Sequence, residues 1–453
     1  MTESLRGDAL GHESWPRADR RRLPPPRHRC RPTGRPVTAI EEAILVSEIL
    51  SPARHDGAGV FIEPRNVDSW RVRAQKDVAY EVRFCEDVFD PRSTALLETG
   101  VPDSPRSLRR FVVIDSVIDN LHGERIRAWF DHHRVEAHLL VLEIDETVKT
   151  LDMLAQVAAE FDAFGIDRRR EPIIVIGGGV IMDIVGLAAN LYRRGTPFVR
   201  VPTTLIGLVD AGVGVKTGVN FNGHKNRLGT YFEKSLTLLD PSFLRTLDER
   251  HISNGMAEIL KIAIVKDRDL FDVLSLSGPE LIDRRFQNED RSGRRAAAYV
   301  LEHAIHGMLK ELQPNLWEAD LERVVDYGHT FSPTVEMHAL PALLHGEAVC
   351  IDMALTTVMA ARRGLMTDSE MRLVLDVMRA LRLPAWDDCL EPELLARALE
   401  DTRRHRDGQQ RLPLPVGIGA CTFVNDVTTD EITAALHQLR SLVSDGAPQE
   451  SRA

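Results

Sequence analysis

The stretch EPIIVIGGGVIMDIVGLAANLYRRG, Glu171 to Gly195, runs from an apolar segment through three glycines into an amphipathic helix pattern that stops at Gly195. Its apolar core is long enough to resemble a membrane span, but Gly177, Gly178, Gly179 and Asp183 break it, so a buried strand followed by a helix fits better. The flanking text agrees. VAYEVRF (Val78 to Phe84), RRFVVIDS (Arg109 to Ser116) and HLLVLEID (His138 to Asp145) read as strands, Glu146 to Phe164 as a helix, and PFVRVPTT (Pro197 to Thr204) as the next strand. Strands alternating with helices predict parallel βαβ units. After about Asp240 the segments MAEILKIAIVKDRDLFDVL, RRAAAYVLEHAIHGMLKEL and EAVCIDMALTTVMAARRG carry helical spacing with long apolar faces. The expected architecture is an α/β nucleotide-binding domain with a parallel sheet over 73–240, then an all-helical domain over 241–445, with a cleft between them as the natural place for a site.

Residues 1–72 are read as an Arg/Pro-rich arm and lead-in. The first forty hold nine Arg, no Lys and four acids, which gives this arm +5 and leaves −16 to the rest of a chain of formal charge −11. Such a segment buries too little apolar surface to order itself and has no signal-peptide apolar core. A solvated tail, an upstream start codon and a basic binding arm all fit it. The acidic balance of the remainder argues against nucleic acid or an anionic membrane as partner. Five scattered cysteines (Cys30, Cys85, Cys350, Cys389, Cys421), without CxxC spacing, fit a reducing cytoplasm.

Three groups of residues carry chemistry. Gly177-Gly178-Gly179, at a strand-to-helix junction with Asp183 four residues on, would let a phosphate approach backbone N–H groups at a helix N-terminus, or form a plain tight turn. Val201 to Gly229 reads as a glycine-rich loop offering Asp210, Lys216, Lys225 and Asn226 to phosphates and hydroxyls. Glu258, His329 and His345 match the composition of a catalytic zinc site with three protein ligands and an open position, although their separation in sequence cannot show that they converge. Lys261 shares a helix face with Glu258, which could equally make a helix ion pair.

Taken in order, GGGVIMD, VPTT, KTG, NGMAEILK, DYGHTF and LHGEAV resemble the sugar-phosphate cyclases of the dehydroquinate synthase superfamily, over roughly Asp115 to Ile418. RVPTTLIGLVDAGVGVKTGVNFNGHKNRLGTY, LKELQPNLWE and RVVDYGHTFSPTVEM look most like the members that cyclise sedoheptulose 7-phosphate to 2-epi-5-epi-valiolone for C7-cyclitol natural products. The resemblance implies NAD as cofactor, with Asp115, Glu146, Lys149, Gly178, Gly179, Asp183, Thr203 and Thr204 at cofactor-binding positions. It implies a zinc ion, replaceable by cobalt, on Glu258, His329 and His345. Asp210, Lys216, Lys225, Asn226 and Lys261 match residues that hold the nicotinamide end and the substrate. Arg194 matches an arginine that reaches the neighbouring subunit's substrate, which makes a homodimer part of the site. The implied reaction oxidises one carbinol, eliminates phosphate, returns the hydride, opens the ring and closes a carbocycle by an aldol step, with no net redox change.

Departures from dehydroquinate synthase itself are informative. The arginine and lysine that address that enzyme's substrate carboxylate fall here on Glu322 and Met308, although a one-residue shift would bring Arg323 there. Pro333 replaces a second histidine, Asp326 replaces an asparagine, and His405 stands for a C-terminal lysine, with Asp326 and His405 the expected pair at the substrate end. A dehydroquinate synthase proper, another cyclase of the same sugar phosphate, a glycerol dehydrogenase-type oxidoreductase that consumes NAD stoichiometrically, and a catalytically silent binding relative are the competing readings.

Overall fold

A computed structural model describes residues 59–63, 66–74, 76–99 and 108–445. The chain divides into two compact units, one ending at Asp77 and the other running from Val78. The expected basic arm lies outside the described residues. In the first unit β1 (Gly59–Glu63) and β2 (Asn66–Arg73) pair as an antiparallel hairpin, where a disordered lead-in through residue 72 was expected.

The second unit is built on a six-stranded sheet in which every pairing is parallel. Its strands are β3 (Glu81–Phe84), β4 (Arg109–Asp115), β5 (Glu136–Leu142), β6 (Ile173–Gly177), β7 (Phe198–Pro202) and β10 (Leu236–Leu239), in the order β3-β10-β7-β6-β4-β5. All five residues of β6 and all five of β7 are buried, as expected of strands covered by helices on both faces. Helices α1 (Ser116–His132), α2 (Leu151–Phe164) and α3 (Gly179–Leu191) connect them. From β4 the chain turns to β5 on one side and then to β6 on the other. The crevice beyond the carboxyl ends of β4 and β6 is therefore the topological switch point where such sheets bind ligands. Gly177 ends β6 at φ 157°, and a Cβ there would meet Ile181 Cγ2 at 2.6 Å.

Val201 to Gly229 is not a loop. Lys216–Phe221 (β8) and His224–Tyr231 (β9) form an antiparallel hairpin, turning at Asn222 and Gly223, both with positive φ. The helix expected from Glu146 starts at Leu151, because Asp145 first caps a short 3₁₀ turn, Glu146–Val148.

Beyond β10 the chain is mostly helical. It comprises α4 (Glu249–Lys266), α5 (Arg268–Asp283), α6 (Arg291–Leu312), α7 (Ser332–Ala339), α8 (His345–Arg362), α9 (Asp368–Ala380), α10 (Pro392–His405) and α11 (Thr429–Asp445). The all-helical expectation needs one correction, since β11 (Leu412–Pro415) and β12 (Cys421–Val424) pair as a hairpin between α10 and α11. Ile252 to Val265 of α4 and Gly346 to Ala360 of α8 are buried all round, which marks them as the helices at the centre of this layer. Gly346 permits their contact: a Cβ there would stand 2.0 Å from the Asn254 carbonyl oxygen.

Between the sheet and the helices, the segment from Ala211 to Lys216 is held by buried donors. Arg200, in the middle of β7, donates to the carbonyls of Ala211, Gly214 and Lys216 at 2.8, 2.8 and 3.1 Å. Lys234 donates to Val213 and Gly214 at 2.5 and 2.8 Å, and Thr237 to Gly212 at 2.8 Å. All three side chains are fully buried. Arg200→Met would take the side-chain donor from the Ala211 and Lys216 carbonyls, while Gly214 keeps Lys234, at about 1–3 kcal/mol for each acceptor left unpaired. The expected result is a markedly lower melting temperature, and an unchanged one would show that the segment does not depend on this clamp.

Candidate active site

A cavity of about 650 Å³ opens over the carboxyl ends of β4, β6 and β7 and is closed by α4, α6 and the segment 316–345. At the sheet end it is lined by Asp115, Glu146, Lys149, Gly178, Gly179, Asp183, Thr203 and Thr204, so every cofactor position expected there faces one space. Gly178 caps α3 without a side-chain partner for the first helical N–H groups, which suits an anion. Asp115, whose carboxyl is raised by burial, caps α1 through Val117 N at 2.8 Å. Lys149 is buried and paired with Asp183 at 2.7 Å, which keeps the amine charged despite its burial. Asn220 ties this end to the hairpin: it donates to Glu146 Oε1 at 2.8 Å and accepts from the Asn226 N–H at 2.9 Å. The sequence reading missed it.

At the helical end Glu258, His329 and His345 converge, with one ligand atom from each lying within 4.8 Å of the others. Glu258 Oε1 stands 3.6 Å from His329 Nε2 and 3.5 Å from His345 Nε2, buried and without a hydrogen-bond partner. Each imidazole is oriented through its other nitrogen. His329 Nδ1 faces the Tyr327 carbonyl at 3.2 Å, and His345 Nδ1 faces Glu336 Oε2 at 2.8 Å. The turn carrying His329 is itself fixed, because Asp352 accepts from Phe331 N at 2.6 Å and Ser332 N at 2.9 Å. Two Nε2 atoms facing one orphaned carboxylate oxygen fit a divalent ion.

The electrostatics divide the two histidines. Burial, reinforced by Lys261, pushes His329 down to about 3. Burial and Lys225 act on His345 in the same direction, but Glu336 overrides them and holds it up at about 9. Glu258 stays well below the usual carboxylate range despite burial, because Lys261 and the imidazoles surround it. Asp210 also lines the cavity, its carboxyl raised by burial and then by Glu258. Lys225 is committed to Glu336, Nζ to Oε1 at 2.5 Å.

The substrate end departs from expectation in three respects. Glu322 is exposed and does not line the cavity, whereas Arg323 does, alongside Met308. Asp326 pairs with Arg406 at 3.0 Å and with Arg323, and not with His405, which is exposed and outside the cavity lining. The cause is local: α10 ends at His405, and the next residue, Arg406, turns inward and is buried. Arg323 and then Arg406 hold the buried Asp326 carboxyl at about 2 against the effect of its burial. Lys216 is paired with Glu318, a residue the sequence reading passed over. The cavity walls, and then Arg323, lower Lys216 to about 8. More than half of its side chain opens onto the cavity (56%), so solvent screens part of that effect until the space is filled. Arg194 is exposed and lies outside this chain's own cavity lining.

A parallel nucleotide-binding sheet with a glycine turn at its switch point, facing a Glu-His-His triad on a helical layer, defines a two-domain enzyme class for dinucleotide and metal. The profile of the 3-dehydroquinate synthase N-terminal domain matches residues 139–254, and that of its C-terminal domain residues 255–404. A 2-epi-5-epi-valiolone synthase of Streptomyces albus is 63% identical over 84% of this chain and 93% of its own length; one of Actinoplanes sp. is 62% identical over 83% and 95%. The structure of the 2-epi-5-epi-valiolone synthase of Streptomyces hygroscopicus subsp. jinggangensis, with NAD+ and Zn2+ bound, is 54% identical and matches with a TM-score of 0.78 over 82% of this chain and 99% of its own. The chain belongs to the dehydroquinate synthase family.

Two outcomes follow from this geometry. Glu336→Gln should weaken zinc retention by about tenfold or more in dialysis against a chelator, since it removes the carboxylate that orients His345; retention equal to the parent would take Glu336 out of that role. For Lys216, a cation is present below about 8 and lost above it. An anion held by Lys216 is therefore bound less tightly as the pH rises, and kcat/KM should fall through that region. Lys216→Arg should move this alkaline limb upward, and an unmoved limb would assign it to another group.

Proposed function

We propose that the protein uses NAD and a divalent metal, zinc or cobalt in its place, to cyclise sedoheptulose 7-phosphate to 2-epi-5-epi-valiolone with loss of phosphate. The observation that carries this reading is the convergence, in one cavity, of the glycine turn, the Glu258-His329-His345 set and the polar residues Asp210, Lys216, Asn226 and Lys261. A dehydrogenase reading explains the first two and leaves the third idle.

When bound, NAD supplies a reversible hydride acceptor and the metal a Lewis acid. Glu258, His329 and His345 hold the ion. Gly178 and Gly179 with the start of α3 hold the dinucleotide phosphates, and Asp115, Glu146, Thr203 and Thr204 hold its sugars and ring. Lys216, Lys261 and Asn226 hold the phosphate and the oxyanions that develop, by charge-assisted hydrogen bonds. Asp210, a buried carboxyl of raised proton affinity, takes a hydroxyl proton. Asp326, kept ionised by its arginines, accepts from substrate hydroxyls. Arg194 serves the site of a second subunit in a homodimer, which accords with its exposure outside its own cavity. Among the described residues no helix is long and apolar enough to cross a membrane.

Recycling of the cofactor is the test of this reading. Purified protein with sedoheptulose 7-phosphate, catalytic NAD and zinc should release phosphate over many turnovers with no steady growth of NADH absorbance. NADH accumulating in proportion to substrate consumed would favour the oxidoreductase instead.

A further inference from the structure

We propose that Glu318 is a specificity determinant that closes this site to sugar phosphates bearing a carboxylate; the inference rests on the cyclase reading above and deepens it. Arg323 is the arginine that the cavity offers to a substrate carboxylate, and all of its nitrogens are already engaged. Nε meets Asp326 Oδ2 at 3.2 Å, Nη2 meets Asp326 Oδ1, and Nη1 meets Glu318 Oε1. Lys216, the neighbouring cation, is paired with the same Glu318 oxygen. The other oxygen of Glu318 accepts from the Tyr231 hydroxyl at 2.9 Å, which fixes the carboxylate from the hairpin side. Glu318 is 7% exposed and Arg323 13%, so these pairs are poorly screened.

An internal carboxylate thus occupies the position between Lys216 and Arg323 that a substrate carboxylate would need. A seven-carbon acid sugar phosphate would bring a second anion against Glu318 and Asp326, where Arg323 is already paired with both and Lys216 is shared by Glu318 and, in the reading above, the substrate phosphate; an uncompensated buried charge is strongly unfavourable. Sedoheptulose 7-phosphate presents a neutral hydroxymethyl group there and meets no such penalty. Glu322, on which the family's arginine position falls by counting, lies outside the cavity lining and has no part in this.

The test compares parent and Glu318→Gln proteins, both loaded with NAD and zinc. Calorimetric titration with the acid sugar phosphate of dehydroquinate synthases should show binding about tenfold or more tighter in the Gln variant. The ratio of kcat/KM for the acid over sedoheptulose 7-phosphate should rise by a similar factor, mainly through KM. Glu318→Asp, which keeps the charge, should stay near the parent. Equal affinity in parent and Gln variant, or an equal gain in the Asp variant, would overturn the proposal. Should the Gln protein not accumulate folded, Glu318→Ala carries the same expectation. A parent inactive on sedoheptulose 7-phosphate would defeat the cyclase reading, while the calorimetric comparison would still decide the role of Glu318.

Discussion

A carboxylate with almost no solvent access, Glu258, is the constraint around which the helical layer is organised. Its side chain is 1% exposed in a helix buried on all sides, and an isolated ion in such surroundings is strongly unfavourable. The surroundings answer it with Lys261 one turn further on and with two imidazoles from separate segments. Bringing those segments together requires the close contact at Gly346 and Asn254, which seats the start of α8 one turn from Glu258 on α4. It also requires Asp352 and Tyr327, whose hydrogen bonds hold the His329 turn against α8. The same arrangement that compensates the anion leaves Oε1 without a donor, and this is where a divalent ion fits.

The sheet contributes the other half of the site through a second piece of polar burial. Arg200 and Lys234 lie fully inside the protein and donate, Arg200 through its two terminal nitrogens, to backbone carbonyls between Ala211 and Lys216. Thr237 adds a third anchor. Asp210 and Lys216 bracket that segment, so the strand core sets the positions of two cavity residues without any of these anchors touching the cavity. Asn220 extends the arrangement from the hairpin to the turn at Glu146. Cofactor end and substrate end are thereby both anchored along the run from Ala211 into the β8–β9 hairpin.

The strands and the glycine turn were legible because β4, β6 and β7 are near-continuous apolar runs, the signature of strands buried on both faces. The β8–β9 hairpin was obscured by its polar, glycine-containing text, although Asn222-Gly223 between its strands is a strong two-residue turn signal. The metal set was named from motif resemblance, since Glu258 lies far in sequence from His329 and His345 and the three show no ligand spacing of their own. Counting along the sequence pointed to Glu322 where the cavity holds Arg323, and Arg406, the neighbour of His405, is the residue that pairs with Asp326. A 3₁₀ turn at Val324–Asp326 and the end of α10 decide which neighbour faces inward, and local pattern does not resolve such details. Arg200 carried a faint signal, a lone cation inside an apolar strand. Lys234 and Glu318 carried none, because their partners are backbone oxygens or side chains distant in sequence.

The central claim is that this cavity performs a cyclisation in which oxidation is transient. NMR identification of the product formed from sedoheptulose 7-phosphate by the NAD- and zinc-loaded protein tests it most directly. The account predicts 2-epi-5-epi-valiolone together with one equivalent of inorganic phosphate. A phosphorylated, oxidised heptulose formed alongside an equivalent of NADH would contradict it.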